Sequence, residues 1–307
     1  MIESKDVKLQ RRIQRYGWDR AASYYEDSWR RQLEPAQKLL LEMAALQPGE
    51  RVLDVACGTG LITFRAAAAV GPRGFVAGSD ISMGMIDEAS AIAAHRGVAN
   101  VSFERVDAES LDFPDNHFDV ALCSLGLMYV SEPVTALRRM HLPLKPGGRA
   151  AVAVWGRRER CGWAGIFPVV DARVESDVCP MFFQLGTGDA LAHDMQMAGF
   201  SDIEVERITV RLEYASEEEV IEAAFMGGPV ALAYSRFDER TRVEAHAEYL
   251  QSIERYRIGQ GYSVPGEFVV AAGFKREAAV AARPAETTIE TSWDREIEPY
   301  AGDAVRS

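Results

Sequence analysis

The chain has few of the residues that mark secreted, metal-binding or nucleic-acid-binding proteins. Its four cysteines, Cys57, Cys123, Cys161 and Cys179, form no Cys-X-X-Cys pair, and none has a histidine at metal-ligand spacing. We therefore expect reduced thiols in a cytoplasmic protein that requires no metal. A formal net charge of −12 argues against nucleic acid or an anionic membrane as the partner.

Long apolar runs are also missing. No uncharged apolar segment reaches about 18 residues, so no membrane-spanning helix is expected. The charged opening MIESKDVKLQRR is not expected to act as a signal peptide. With 48% hydrophobic residues in 307, the chain can still bury a sizeable core. A small neutral or cationic molecule is the partner that this charge balance allows, and a homodimer is compatible with it.

Between residues 51 and 155, short apolar strands alternate with helical segments. Four of the five strands show little polar alternation, as expected when a parallel sheet is covered on both faces. The alternation predicts an α/β protein with a Rossmann-like, doubly wound sheet. The predicted strands are Arg51–Ala56, Phe75–Asp80, Val101–Val106, Val120–Ser124 and Arg149–Trp155, and the predicted helices are 61–70, 83–96 and 132–142.

Three segments lie outside this repeating unit. Residues 1–47 have apolar side chains at helical spacing, and we expect a helical segment that covers the sheet edge or closes over the active site. The main domain is predicted at 48–277, with strands at about 201–214 and 267–276. Between them, about 215–264 has two helical patterns separated by Gly-Gly-Pro, which predicts a helical lid over the acceptor pocket. The remainder, 278–307, is predicted to be a flexible tail.

A glycine turn marks the point where the first strand becomes the first helix. Gly58 and Gly60 leave the main chain bare beside a helix N-terminus, so the turn suits a ligand better than a mere change of direction. A dinucleotide site requires a third glycine, but Thr63 occupies that position. Asp54, at the start of the same turn, would repel a pyrophosphate and attract a cation.

Two further acidic residues follow the second and third strands. Asp80 lies 20 residues beyond Gly60, where a carboxylate can accept both ribose hydroxyls; the alternative is a helix N-cap. Asp107 could accept a hydrogen bond from an adenine amino group, and Ala108 could offer a backbone N–H. A ribose acceptor, a base site and a carboxylate near a cation describe S-adenosylmethionine better than NAD.

Four sequence blocks carry a family resemblance. VLDVACGTG, GSDISMGMIDEA, VDAESLDFPDNHFDVALCSLGLMYV and LKPGGRAAVAVWG occur in order between residues 51 and 156. They resemble the class I S-adenosylmethionine-dependent methyltransferases, in particular the ubiquinone/menaquinone biosynthesis C-methyltransferase-like group. The resemblance implies a seven-stranded sheet with an antiparallel last strand, and methyl transfer to a small-molecule acceptor.

The resemblance also implies site residues. Cofactor contacts are expected at Asp54, Ala56, Gly58, Thr59, Gly60, Asp80, Ile81, Met85, Asp107, Ala108 and Ser124. Candidate acceptor-pocket residues are Tyr16, Tyr24, Leu125, Met128, Phe225, Met226 and Tyr234. The catalytic residue is unknown, with His246, Tyr262 and His193 as candidate bases. A NAD(P)-dependent oxidoreductase and a non-catalytic adenosylmethionine-binding protein remain the alternatives.

Overall fold

The computed structural model describes residues 5–174 and 182–276. Cys179 and the predicted tail at 278–307 lie outside these ranges, so the expectations for them stay predictions. Within the described ranges, no helix is long and apolar enough to cross a membrane.

One mixed sheet of eight strands runs through the described residues. The strands are β1 (Arg51–Val55), β2 (Phe75–Asp80), β3 (Val101–Arg105), β4 (Phe118–Ser124), β5 (Leu144–Trp155), β6 (Ser201–Tyr214), β7 (Arg257–Ile258) and β8 (Gly261–Phe274). Their order is β3-β2-β1-β4-β5-β8-β6, and β7 pairs with β8 alone. The first five are parallel, whereas β8 is antiparallel to both β5 and β6. The seven predicted strands are therefore present, and β7 is an addition within the insertion.

The helices lie before, between and after these strands. They are α1 (Lys5–Ala44), α2 (Leu61–Val70), α3 (Met83–Arg96), α4 (Pro133–His141), α5 (Ile166–Asp171), α6 (Ala190–Ala198), α7 (Glu217–Ile221), α8 (Ala231–Tyr234) and α9 (Glu239–Ile253). The helix predicted at 83–96 has those bounds, because Ser82 accepts a hydrogen bond from Met85 N at its start and Gly97 ends it at φ 66°.

The core lies between the sheet and its helices. Val52, Val120 and Val152 on neighbouring central strands are fully buried, as the apolar strand patterns predict. The C-terminal half of α1 packs into this core through Leu33, Ala36 and Leu40. Its N-terminal half lies at the edge of the sheet at which the parallel strands end, where it contacts α3.

Helix α1 is fastened to that edge by polar contacts. Asp19 Oδ1 accepts hydrogen bonds from Ser82 Oγ (2.6 Å) and from Gly84 N (3.1 Å), so it helps to cap α3. Further along, the indole Nε1 of Trp29 donates to the carbonyl oxygen of Gly227 at 2.9 Å. Because Gly227 belongs to the segment between β6 and β8, α1 is in contact with both the sheet and the insertion.

The insertion spans residues 215–260, shorter than the predicted 215–264 because β8 begins at Gly261. Ser216 caps α7, as its position before three glutamates predicts, and the chain then continues through a π-helical turn, Glu222–Met226. The second predicted helix is α9, which begins at Glu239 and ends at Ile253. The insertion packs against α1, near the carboxyl ends of the parallel strands.

Candidate functional site

The turn after β1 has backbone dihedral angles that residues with a side chain rarely adopt. Ala56, Gly58 and Gly60 all have positive φ, at 54°, 55° and 91°. A Cβ on Gly60 would come within 2.6 Å of the Phe64 ring, so glycine is required there for space as well as conformation. Cys57 N donates to the Ser79 carbonyl at 3.0 Å and ties the turn to β2. The turn therefore presents bare main chain at the carboxyl edge of the sheet.

Asp80, the last residue of β2, holds this turn in place. Its Oδ2 accepts from Gly58 N at 3.0 Å, and its Oδ1 accepts from Ser82 N at 2.9 Å. Burial raises the pKa of Asp80 to about 6, against the lowering effect of these backbone hydrogen bonds. Each carboxylate oxygen has a second acceptor position, so the group can fix the turn and still accept hydrogen bonds from a ligand.

Asp54 lies beneath the turn and is only 1% exposed. The hydroxyl of Thr63 donates to its Oδ2 at 2.6 Å, while Oδ1 is buried without a hydrogen-bond partner in the described residues. Burial, helped by the nearby carboxylate of Asp80, raises the pKa of Asp54 to about 7 against the lowering effect of the Thr63 hydrogen bond. Thr63, which stands where a dinucleotide site has glycine, thus supports an acidic group that favours a cation nearby.

The turn after β4 packs against the turn after β1. Leu125 adopts a positive φ of 61°, which is uncommon for a residue with a side chain. A Cβ on Gly126 would come within 2.2 Å of the Ala56 Cβ, so the two turns are in close contact. Ser124 Oγ, at the end of β4, is buried without a partner among the described residues. Backbone conformations of this kind recur at functional sites.

Asp107 follows β3 and is already engaged by two groups. Its Oδ1 accepts from Glu109 N at 2.9 Å, and its Oδ2 lies 3.1 Å from Arg11 Nε of α1. Arg11 also donates to Glu109, whose side chain is buried. An adenine amino group at Asp107 would therefore share that carboxylate with Arg11.

These turns surround one cavity, here called the donor cavity, with an empty volume of about 700 Å³. Nine of the residues predicted to form the site line it: Ala56, Gly58, Asp80, Ile81, Met85, Asp107, Ala108, Ser124 and Leu125. The three predicted positions after β1, β2 and β3 are thus brought together around one space.

The sequence interpretation expected the N-terminal helical segment at the active site but missed the four residues of α1 that line this cavity. Arg11, Gln14, Trp18 and Tyr25 line it from one face of the helix. The spacing of three, four and seven residues between them was the available signal, because such residues share a helix face. Tyr25 also packs on the glycine turn: a Cβ on Gly58 would lie 3.6 Å from its ring.

Several predicted residues are not at the cavity wall. Tyr16 and Tyr24 are 44% and 39% exposed, because the opposite face of α1 meets the sheet; this corrects the expectation that they line the acceptor pocket. Thr59 donates instead to Glu26 Oε2 at 2.7 Å, and Gly60 packs against Phe64. Met128 is buried in the core beside these turns.

The residues that were predicted to line the acceptor pocket from the lid are packed within the insertion instead. The Phe225 ring is fully buried and lies 5.0 Å from Tyr234 and 4.9 Å from His246. Met226 packs on the core from the same π-helical turn. Phe225 and Tyr234 therefore hold the insertion together, and these three residues do not line the donor cavity.

The three candidate bases likewise do not line the donor cavity. His246 Nε2 is 2.9 Å from the Tyr234 hydroxyl, and burial lowers the pKa of His246. The Tyr262 hydroxyl accepts a hydrogen bond from Arg257. His193 borders a groove with Ser201, at the opposite edge of the sheet. The expectation that one of them faces the reacting atoms is not met by their positions.

Comparison with known proteins agrees with this architecture. Residues 46–160 match the family model for a methyltransferase domain. The ubiquinone/menaquinone biosynthesis C-methyltransferase UbiE of Ectopseudomonas mendocina (strain ymp) is 45% identical over 117 residues, 38% of this chain and 46% of that protein. Aklanonic acid methyltransferase DauC of Streptomyces sp. (strain C5) is 38% identical over 134 residues, 44% of this chain and 61% of that protein. The chain spans about half the length of the curated relatives it matches.

The solved structures include the same fold. The YcgJ protein from Bacillus subtilis aligns with a TM-score of 0.56 and 20% identity, over 80% of this chain and 100% of that one. The resemblance read from the four sequence blocks is thereby confirmed. Residues 46–160 thus resemble a methyltransferase domain, and the fold is that of the solved neighbour.

Proposed function

We propose that the protein binds S-adenosylmethionine in the donor cavity and transfers its methyl group to a small-molecule acceptor. The proposal rests on one observation: Asp80, Asp107 and the glycine turn line the same cavity. These residues lie within 46–160, the range that matches the methyltransferase domain model. That both relatives are named as methyltransferases supports the same reaction class.

The residues around the donor cavity fit the proposed cofactor. Asp80 has acceptor capacity for ribose hydroxyls, and Asp107 with Ala108 borders the position proposed for the adenine. Asp54 has an unpartnered oxygen beneath the turn and a raised pKa, which favours a positive charge close by. When bound, the sulfonium supplies a methyl group that is already activated for displacement.

The protein's residues contribute by aligning the methyl donor with the acceptor and by excluding water from the cavity. Helix α1 covers the cavity with Trp18 and Tyr25, and the Arg11 contacts with Asp107 and Glu109 hold the helix in that position. Alignment of two reactants can lower a barrier by roughly 7–11 kcal/mol. A general base is needed only where the acceptor must lose a proton.

The alternatives make different predictions for ligand binding. An oxidoreductase would bind NAD, which the Thr63 side chain and the adjacent Asp54 disfavour. A non-catalytic protein would bind S-adenosylmethionine and release no product. Calorimetric titration with S-adenosylmethionine and NAD, followed by a screen of acceptors for S-adenosylhomocysteine formation, separates the three. Binding of NAD in preference to S-adenosylmethionine would overturn the proposal.

A cytoplasmic location is part of the same proposal. Cys57, Cys123 and Cys161 are free and buried, as expected for thiols in a reducing compartment. A homodimer stays a further proposal, which measurement of the mass in solution would test.

A further inference from the structure

The N-terminal part of α1 carries a cluster of positive charge in an acidic chain. Between residues 8 and 25 the sequence has five basic residues and a single acidic one, Asp19. The Asp19 carboxylate is bound to the start of α3, through Ser82 Oγ and Gly84 N. One of the five cations, Arg11, lines the donor cavity. The other four, of which three are exposed and one is partly buried, are Lys8, Arg12, Arg20 and Arg15.

These four cations have no anionic partner, unlike those further along the same helix. None of the four forms an ion pair among the described residues. By contrast, Arg30 pairs with Glu26, and Lys38 pairs with Glu42, in each case one turn away. Because the chain has acidic residues in excess, the lack of partners at one place favours an anionic partner from outside the chain.

Exposed apolar side chains lie among these cations. Leu9 is 54% exposed and Tyr16 is 44% exposed, and a separation of seven residues places them on one face of α1. Arg12 and Arg20 lie one turn before and one turn after Tyr16 on that face. The Arg15 guanidinium lies 4.7 Å from the centre of the Tyr16 ring and borders the same face.

The start of α3 extends this apolar surface. Met83, which is 45% exposed, precedes Gly84, whose N–H is held by Asp19 of α1 at 3.1 Å. The outer face of α1, here defined as Lys8, Leu9, Arg12, Arg15, Tyr16 and Arg20, thus adjoins a further exposed apolar side chain. Apolar side chains bordered by cations are typical of helices that bind anionic membrane surfaces.

The net charge of the chain does not determine what this face attracts. Exposed charges are screened over about 8 Å at physiological ionic strength, so a nearby surface responds to local charges rather than to their sum. The expectation that a net charge of −12 argues against an anionic membrane therefore does not extend to α1. A helix that lies on a membrane surface also needs no membrane-spanning segment.

We propose that the outer face of α1 docks on an anionic lipid surface. The cations contact the phosphate-containing headgroups, and Leu9, Tyr16 and Met83 enter the boundary between the headgroups and the acyl chains. Lysine and arginine suit this border because their aliphatic stems cover apolar surface while their charges stay in water. The exposed apolar side chains favour lipid over nucleic acid, whose phosphates attract cations but offer leucine and methionine no apolar layer. The docking does not depend on methyl transfer.

The test is sedimentation of the full chain with vesicles of phosphatidylglycerol and phosphatidylcholine, compared with vesicles of phosphatidylcholine alone. The chain should bind the anionic vesicles at least about tenfold more tightly. This binding should weaken when the salt concentration is raised from about 0.1 to about 0.5 M, because the attraction is screened. Equal binding to both kinds of vesicle, or binding to neither, would overturn the proposal.

Two double variants locate the electrostatic contact. Arg12→Gln combined with Arg20→Gln should weaken binding to the anionic vesicles by about fivefold for each cation removed. Lys38→Gln combined with Arg240→Gln is the matched control, because it removes the same charge from exposed cations elsewhere. The control should stay within about twofold of wild type, since its sites lie beyond the screening distance. Equal weakening in the two variants would contradict docking through α1.

The apolar contact separates a lipid surface from other occupants. Leu9→Ala should weaken vesicle binding about three- to tenfold, whereas Val243→Ala, at an exposed site on α9, should not. Binding of a DNA duplex that competes with the vesicles and is unaffected by Leu9→Ala would identify a nucleic acid instead. A dimer in solution that Leu9→Ala dissociates would identify a second copy of the chain. Either result would overturn the proposal, and the comparison of the two vesicle types decides if a variant does not fold.

Discussion

The two edges of the sheet hold their aspartates in opposite ways. At the amino edge, burial alone would raise the pKa of Asp119, but hydrogen bonds from Arg51 N (2.9 Å) and Lys145 Nζ (2.6 Å) lower it overall. At the carboxyl edge, burial raises the pKa of Asp54 to about 7 and that of Asp80 to about 6. The carboxylate of Asp119 is thus stabilised as an anion, whereas those of Asp54 and Asp80 are destabilised.

The two edges differ in the cationic side chains that lie beside these aspartates. The amino edge contains its own cations, since Arg149 also pairs with Glu50 at 2.8 Å. Among the described residues, no lysine or arginine forms an ion pair with Asp54 or Asp80. At the carboxyl edge Arg11 pairs with Asp107, but Asp54 and Asp80 have no such partner in the described part of the chain, and a cationic ligand could take that place.

The largest expected effect concerns the pH dependence of stability. Asp54 binds its proton more tightly in the folded than in the unfolded chain, so its contribution to the free energy of unfolding is present at low pH. That contribution is lost as the pH rises through about 7. Without ligand, Asp54→Asn should be more stable than wild type by on the order of 3 kcal/mol at about pH 8, and similar in stability at about pH 4. Urea unfolding at both pH values measures this, and an equal difference at each would contradict the comparison.

The next effect concerns affinity for the donor. Asp80→Ala removes an acceptor for the ribose hydroxyls and the group that holds Gly58 N. The loss should be roughly 1.5–3 kcal/mol, or about 10- to 150-fold in the dissociation constant of S-adenosylmethionine. Asp119→Ala, at the other edge, is the control and should bind the donor normally. Unchanged affinity in Asp80→Ala, measured by calorimetry, would remove Asp80 from the site.

A smaller effect is expected at the amino edge. Lys145→Met removes the cation beside Asp119, and because the pair is partly exposed the variant should lose less than about 1 kcal/mol of stability. The loss should be greatest near neutral pH and should vanish when Asp119 is protonated. A lowered affinity for S-adenosylmethionine would show that the two edges are coupled.

The smallest effect is expected at a residue first considered as a base. His193 borders the groove at the opposite edge from the donor cavity, so His193→Ala should change the methylation rate by less than about twofold. Steady-state kinetics with an accepted substrate would check this. A loss of a hundredfold or more in turnover, with the fold intact, would return a catalytic role to this histidine.

The sequence predicted those parts of the fold that depend on residues close together in the chain. The strands followed from apolar runs, and the glycine turn with Asp80 followed from the spacing between consecutive strands and helices. The donor-cavity residues on β-strand ends were found because parallel strands end at one edge.

The contributions of α1 and the insertion could not be found in the same way. Both Tyr24 and Tyr25 are aromatic, and only the packing of α1 on the sheet decides which one meets the cavity. Phe225 has the apolar character of a pocket residue, but Tyr234, His246 and Tyr249 enclose it within the insertion. Such choices depend on contacts between residues far apart in the chain.

The most direct test of the account is the number of protons exchanged when S-adenosylmethionine binds. Calorimetry in buffers of different ionisation enthalpy, at about pH 6.5, measures it for wild type and for Asp54→Asn. A positive charge near Asp54 should lower its pKa, so the wild-type protein should release protons on binding and the variant should release fewer. Equal proton release by the two proteins would contradict the claim that the carboxyl edge is completed by a cationic ligand.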